Sequence, residues 1–77
     1  MAEEMTRREK VVHMRESGFS DGQIAFEMQR LLPGGVMPSL NSIRRWRYGD
    51  CKPSPTYATV LDLIYRDAQA RGLLKEL

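Results

Sequence analysis

The segment FSDGQI carries three helix-start signals at once, and it constrains the fold more than any other stretch of the chain. Ser20 is a residue of the type that caps a helix N-terminus, and Gln23 follows three residues later, where its side chain completes a capping box. Phe19 and Ile24 flank this start at the spacing of a hydrophobic staple. The sequence therefore predicts a helix over residues 21–32.

Similar signals divide the rest of the chain into helices. Thr6 and Glu9 have the capping-box spacing at the start of a helix that runs to about residue 17. A Pro-Gly-Gly break at residues 33–35 precedes a second motif helix at 39–48, and a Ser-Pro pair introduces a closing helix at 55–71. Because no segment alternates with period two, we predict that the 77 residues form a single all-α domain of four to five helices.

Size and composition exclude several classes of protein. With 42% hydrophobic and 29% charged residues, the chain is typical of a globular rather than a disordered protein. No apolar run reaches the roughly 18–20 residues of a membrane span, and the acidic N-terminus is unlike a secretory signal, so we expect a cytosolic protein. One cysteine, Cys51, and one histidine, His13, cannot build a structural zinc site. We expect His13 to lie at the surface or its boundary. We expect the protein to bind no metal, cofactor or small-molecule ligand.

Positive charge is concentrated in the middle of the chain. Residues 29–53 contain five bases and one acid, a net charge of +4, whereas the remainder contains seven bases and nine acids, or −2. Such segregation is what an anionic partner requires. The predicted helix at 39–48 carries three of these bases together with Asn41, and arginine and asparagine match the major-groove edges of guanine and adenine. It is a candidate DNA recognition helix; the alternative is a solvated basic face.

The side chains around this helix divide by expected role. Those expected to contact base edges are Asn41, Ser42, Arg44 and Arg45. Because helix N-termini and basic side chains bind phosphate, the expected phosphate contacts are Ser20, Gln23, Arg47, Tyr48 and Lys52. The expected core of the motif is Ile24, Ala25, Met28, Ile43 and Trp46. Leu40 stands between the two faces, so it either joins the core or meets a thymine methyl group.

Two stretches resemble the Cro/repressor-type helix-turn-helix family of small bacterial and phage regulators. GFSDGQIA is similar to the entry of the family's first motif helix, and SIRRWRYGDCKPS is similar to the end of its recognition helix and the exit that follows. Ala25 and Ile43 stand eighteen residues apart, which is longer than the family's spacing, so the turn between the motif helices is expanded. Residues 8–25 also resemble the helix-turn-helix of phage terminase small subunits and recombinases.

The first resemblance implies a sequence-specific regulator of transcription, a repressor, that binds double-stranded DNA as a homodimer in a bacterial or phage-infected cell. The candidate dimer surface is the apolar tail, Leu73, Leu74 and Leu77, which otherwise packs back on the core. A terminase-type or recombinase-like DNA-binding module is the second interpretation. The third is a non-catalytic protein-interaction module that uses the tail or exposed Phe26 and Tyr65. No spacing assembles a catalytic set of Ser, His and acid, so we do not expect an enzyme.

Overall fold

The computed structural model describes residues 5–76 and shows four α-helices joined by short segments. They are α1 (Arg7–Glu16), α2 (Asp21–Leu31), α3 (Leu40–Tyr48) and α4 (Pro55–Ala70), with one turn of 3-10 helix at Pro33–Gly35 between α2 and α3. No strand occurs among the described residues, which confirms the predicted all-α, four-helix fold. In that same part of the chain, no helix has the length and apolar character needed to cross a membrane.

Each α-helix is preceded by a serine or threonine whose side-chain oxygen accepts a hydrogen bond from a backbone N–H in the first turn. These N-caps are Thr6, Ser20, Ser39 and Ser54. At α2 the capping box is complete, because the Gln23 N–H donates to Ser20 Oγ at 3.1 Å and the Ser20 N–H donates to Gln23 Oε1 at 2.8 Å. Thr6 and Glu9 form the same pair of bonds at α1. Local sequence therefore sets where these helices begin.

The core lies where all four helices meet. Helix α1 packs against α3 and α4, and α2 packs against the same two helices. The core residues expose less than a tenth of their surface. They include Val11, Met14, Ile24, Ala25, Met28, Ile43, Trp46, Leu61 and Ile64. All five side chains expected in the motif core are therefore buried. The Trp46 ring also packs against Tyr57, with ring centroids 5.6 Å apart.

His13 and Tyr65 are buried, so the expectation that they lie at the surface is wrong. His13 is 5% exposed, and its Nδ1 lies 2.6 Å from Tyr65 Oη. Its Nε2 lies 2.8 Å from the carbonyl oxygen of Lys75, and because a carbonyl only accepts, Nε2 carries the proton. Each polar atom of the imidazole thus has a partner, which is the condition for burying it.

The C-terminal tail is bound to α1 through backbone hydrogen bonds of Lys75. Its carbonyl accepts from His13, and its N–H donates to Ser17 Oγ at 2.9 Å. Leu74 packs against the core, whereas Leu73 remains largely exposed. Part of the candidate dimer surface is thus used within the chain, and Leu77 lies outside the described residues.

Candidate nucleic-acid interface

Helix α3 presents two faces of opposite character. Ile43 and Trp46, 0% and 3% exposed, point into the core. At the α-helical rotation of about 100° per residue, the exposed side chains fall within one arc of about 140°, and they are Leu40, Asn41, Arg44, Arg45 and Tyr48. Leu40 belongs to this outer face and not to the core. The helix ends at Gly49, whose left-handed φ of 81° allows the chain to turn away toward α4.

The arginines on the outer face have no carboxylate partner within residues 5–76. Among residues 5–76, neither Arg44 nor Arg45 forms an ion pair with a carboxylate, and the same holds for Lys52 just beyond the helix. All three side chains belong to exposed residues. Their hydrogen-bond donors are therefore available to an external acceptor, and their charges add on one side of the molecule.

Three of the four predicted base-contacting residues lie together on this face. Asn41, Arg44 and Arg45 are exposed, with Asn41 near the start of the helix. Ser42 is half-buried at the edge of the face, and its Oγ lies 2.8 Å from the Oγ of Ser39, the N-cap. The structure thus groups the side chains of Asn41, Arg44 and Arg45 on one face, whereas the Ser42 hydroxyl lies at the helix N-terminus.

Arg47, predicted to contact phosphate, is already engaged within the protein. Its Nη1 lies 3.2 Å from Oδ1 of Asp21, and the two side chains are only 15% and 13% exposed. Arg15 Nε approaches the same oxygen at 3.4 Å. Arg47 Nη2 also donates to Tyr48 Oη at 3.2 Å. This cluster joins the first residue of α2 to the last turn of α3, so it fixes the position of one helix relative to the other.

The same ion pair brings the other predicted phosphate contacts to one end of α3. Because Asp21 begins α2, the N-terminal amides of that helix and the exposed Ser20 and Gln23 lie beside the C-terminal turn of α3. The side-chain oxygens of Ser20 and Gln23 are occupied by the capping box. The Asp21 carboxylate lies beside two guanidinium groups, so this end of α2 is not dominated by negative charge.

Arg8 joins this end of α3 and was missed by the sequence analysis. Its Nε donates to the backbone carbonyl of Arg47 at 3.2 Å, across thirty-nine residues of sequence. It makes no ion pair with a carboxylate in the part of the chain that the structure describes. A cation is favourable at a helix C-terminus, where unpaired carbonyls carry partial negative charge. Only the packing of α1 on α3 reveals this neighbour, and no sequence spacing could have found it.

The expanded turn between the motif helices is anchored at both ends. Leu32 and Pro38 are buried, and the Gln29 side-chain amide donates to the Gly35 carbonyl at 2.9 Å. Gly34 has a φ of 72°, in the left-handed region that glycine adopts readily. Between the anchors, Val36 and Met37 expose about half of their surface. The turn thus adds an apolar surface next to the N-terminus of α3.

A second charged group lies between α1 and α4, beside an open groove of about 790 Å³. Asp62 accepts hydrogen bonds from Arg7 and Lys10, each at 3.0 Å. Partial burial raises the pKa of Asp62, but the hydrogen bonds and charges of Lys10 and Arg7 outweigh it and hold the pKa below its usual value. Residues 5–76 contain no group of three or more His, Cys, Asp or Glu side chains arranged to bind a metal ion.

Comparisons with protein-family models, with curated proteins and with solved structures gave no match for this chain. The likeness to Cro/repressor-type regulators therefore stays an interpretation of two short stretches. Three features of the chain's own surface carry functional information. They are the basic outer face of α3, the cations around its C-terminal end, and the exposed apolar side chains of α2 and the turn.

Proposed function

We propose that the protein is a transcriptional regulator, acting as a repressor, that binds double-stranded DNA by placing the outer face of α3 in the major groove. One observation carries the proposal. Arg44 and Arg45 have no carboxylate partner among the described residues, and they share an exposed helix face with Asn41. Ile43 and Trp46 hold the opposite face in the core. A rigid helix that offers amide and guanidinium donors has the chemistry of direct base readout.

The length of the reading surface sets the size of the site. From Asn41 to Arg45 the helix rises about 6 Å at 1.5 Å per residue, which is about two base-pair steps of 3.4 Å. Each arginine can donate two hydrogen bonds to N7 and O6 of guanine, and Asn41 can donate one to N7 of adenine while its amide oxygen accepts one from N6. One copy therefore reads a core of a few base pairs. That is too little for useful specificity, and for this reason we propose a homodimer on a two-fold related site.

Phosphate contacts belong, in this proposal, at the C-terminal end of α3. Arg8 and Lys52 supply charge there, Tyr48 supplies a hydroxyl, and the α2 N-terminus supplies backbone amides. With the DNA backbone bound at this end, residues 40–45 of α3 are the part that enters the groove. This is the arrangement in which the first residues of a recognition helix reach base edges.

Two other functions remain as alternatives. A DNA-binding module of the terminase small subunit or recombinase type would use the same contacts in a packaging or recombination complex. A protein-interaction module is favoured by a separate observation, the exposure of Phe26 and Leu31 on α2. An apolar surface of that kind marks interaction sites when it is contiguous. Binding to duplex DNA distinguishes the regulator and the terminase or recombinase module from the protein-interaction module.

Selection from a pool of random duplex DNA tests the proposal most directly. We expect enrichment of a two-fold related sequence, with an affinity that falls steeply with salt because phosphate contacts release counterions. Arg44→Ala should reduce the preference at one base position in each half-site by about five- to 150-fold, because one bidentate contact contributes about 1–3 kcal/mol. Lys52→Ala should weaken binding to all sequences and lower the salt slope by about one unit per subunit, or about two for the homodimer.

Arg66→Ala is the matched control for Arg44→Ala. Arg66 is an exposed arginine of α4, again without a carboxylate partner in the described segment, and it lines the groove between α1 and α4. The substitution removes the same charge from a surface away from α3, so base preference should not change. If the protein ignores duplex DNA even at low salt, the proposal fails and the interaction module takes its place.

A further inference from the structure

An exposed leucine stands among the hydrogen-bonding side chains of the α3 outer face. Leu40 is the first residue of α3 and is 50% exposed. It precedes Arg44 by one helical turn, so the two side chains lie on the same stripe of the helix. Val36 and Met37, in the turn just before α3, are exposed to a similar degree. The N-terminal end of the proposed reading surface is therefore apolar, while its middle is cationic.

We infer that Leu40 contacts the C5-methyl group of a thymine in the bound DNA, an inference that rests on the proposed function. The major-groove edges of the four base pairs present hydrogen-bond donors and acceptors and a single type of apolar group, the thymine methyl. An apolar side chain pressed against any other edge would bury a donor or acceptor without a partner, which is unfavourable. Leu40 thus favours A·T or T·A over G·C at the position it covers.

The spacing along α3 locates this thymine relative to the base pair that Arg44 reads. Four residues separate Leu40 from Arg44, a rise of about 6 Å, which corresponds to about two base-pair steps. The thymine lies on the side of the N-terminal end of α3, the end that carries no phosphate-binding cation in the proposed arrangement. Leu40 is therefore a specificity-determining residue and contributes nothing to binding of random sequence.

Deoxyuridine in place of thymidine tests the contact without altering the protein. Uracil keeps the O4 acceptor and the base pairing of thymine and lacks only the methyl group. Each thymine of the selected duplex is replaced in turn, symmetrically in both half-sites, and the affinity is measured. At the position that Leu40 covers, we expect about a fourfold loss per half-site, which is the effect of losing the burial of one methyl group. At the other positions we expect no loss.

Protein variants then assign the effect to its residue. Leu40→Ala should bind the thymidine and deoxyuridine duplexes equally at that position. Leu63→Ala, which shortens a similarly exposed leucine on α4, should still discriminate between them. Equal binding of both duplexes by the unmodified protein at every position would overturn the inference and leave DNA binding intact, as would retained discrimination by Leu40→Ala. Failure to select any duplex overturns the proposed function itself.

Discussion

The Arg47–Asp21 ion pair gives the sharpest test of what holds α3 in place. Both side chains are mostly buried, with Nη1 of the arginine 3.2 Å from Oδ1 of the aspartate. A hydrogen bond between charged groups at such a site contributes about 1.5–3 kcal/mol. Arg15 stays near the Asp21 carboxylate after Arg47 is removed, which limits the loss. We therefore expect Arg47→Ala to lower the free energy of unfolding by about 1–2 kcal/mol.

Thermal unfolding followed by circular dichroism measures this effect. For a domain of this size, 1–2 kcal/mol lowers Tm by about 4–16 °C. Arg45→Ala is the control, because Arg45 is two residues away, exposed and without a carboxylate partner in the described part of the chain, so its effect should stay within about 0.5 kcal/mol. A double-mutant cycle with Asp21→Ala should give a coupling of about 1 kcal/mol. Equal Tm values for Arg47→Ala and Arg45→Ala would refute this role.

Three further predictions concern stability. Asp62→Asn should destabilise the protein at neutral pH, because the lowered native pKa of Asp62 contributes stability that is complete above the unfolded pKa of about 4 and is lost as pH falls through the native pKa. Urea titrations of both proteins across pH should therefore show the difference disappearing at acid pH. His13→Phe, which keeps the ring and removes both hydrogen bonds, should cost about 1–3 kcal/mol and expose the Lys75 N–H to faster hydrogen exchange. Gly49→Ala should cost about 1–2 kcal/mol in a denaturant titration, because φ is 81° there.

The helix starts could be read from the sequence because their causes are local. Ser20 and Gln23 stand three residues apart, so the capping box forms within one turn and needs no tertiary information. The buried face of α3 was equally readable, since Ile43 and Trp46 recur at helical spacing. The outer face of α3 could then be predicted as the side opposite these two residues. Only the structure assigns Leu40 to that face.

Contacts between distant residues could not be read in this way. His13 is bonded to Tyr65 across fifty-two residues, and Arg8 reaches the end of α3 across thirty-nine. A lone histidine on a helix gives no sign of a buried partner, because polar residues are mostly exposed. The engagement of Arg47 with Asp21 was hidden for the same reason. Among the residues assigned to DNA from sequence, Arg47 is thus the one whose role packing changes most.

The expanded turn raises the question of what positions α3, and the structure indicates that the core does so. Ile43, Trp46 and the Arg47–Asp21 pair hold the helix against the rest of the domain, in addition to the connecting residues 32–39, of which Ser39 caps the helix. Inserting two glycines between Gly34 and Gly35 lengthens this eight-residue segment to ten, which costs about 0.2 kcal/mol of closure entropy. Loss of the hydrogen bond from Gln29 to Gly35 adds at most about 1.5 kcal/mol.

We therefore expect the insertion variant to keep its α3 presentation and the proposed base preference, with a free energy of unfolding reduced by no more than about 1.7 kcal/mol. Arg47→Ala, of similar stability cost, should instead loosen α3 against α2. Measuring the base preference of both variants on the selected duplex distinguishes an effect on stability from an effect on the orientation of α3. If the insertion abolished base preference while the protein stayed folded, the turn and not the core would be what sets the orientation of the helix.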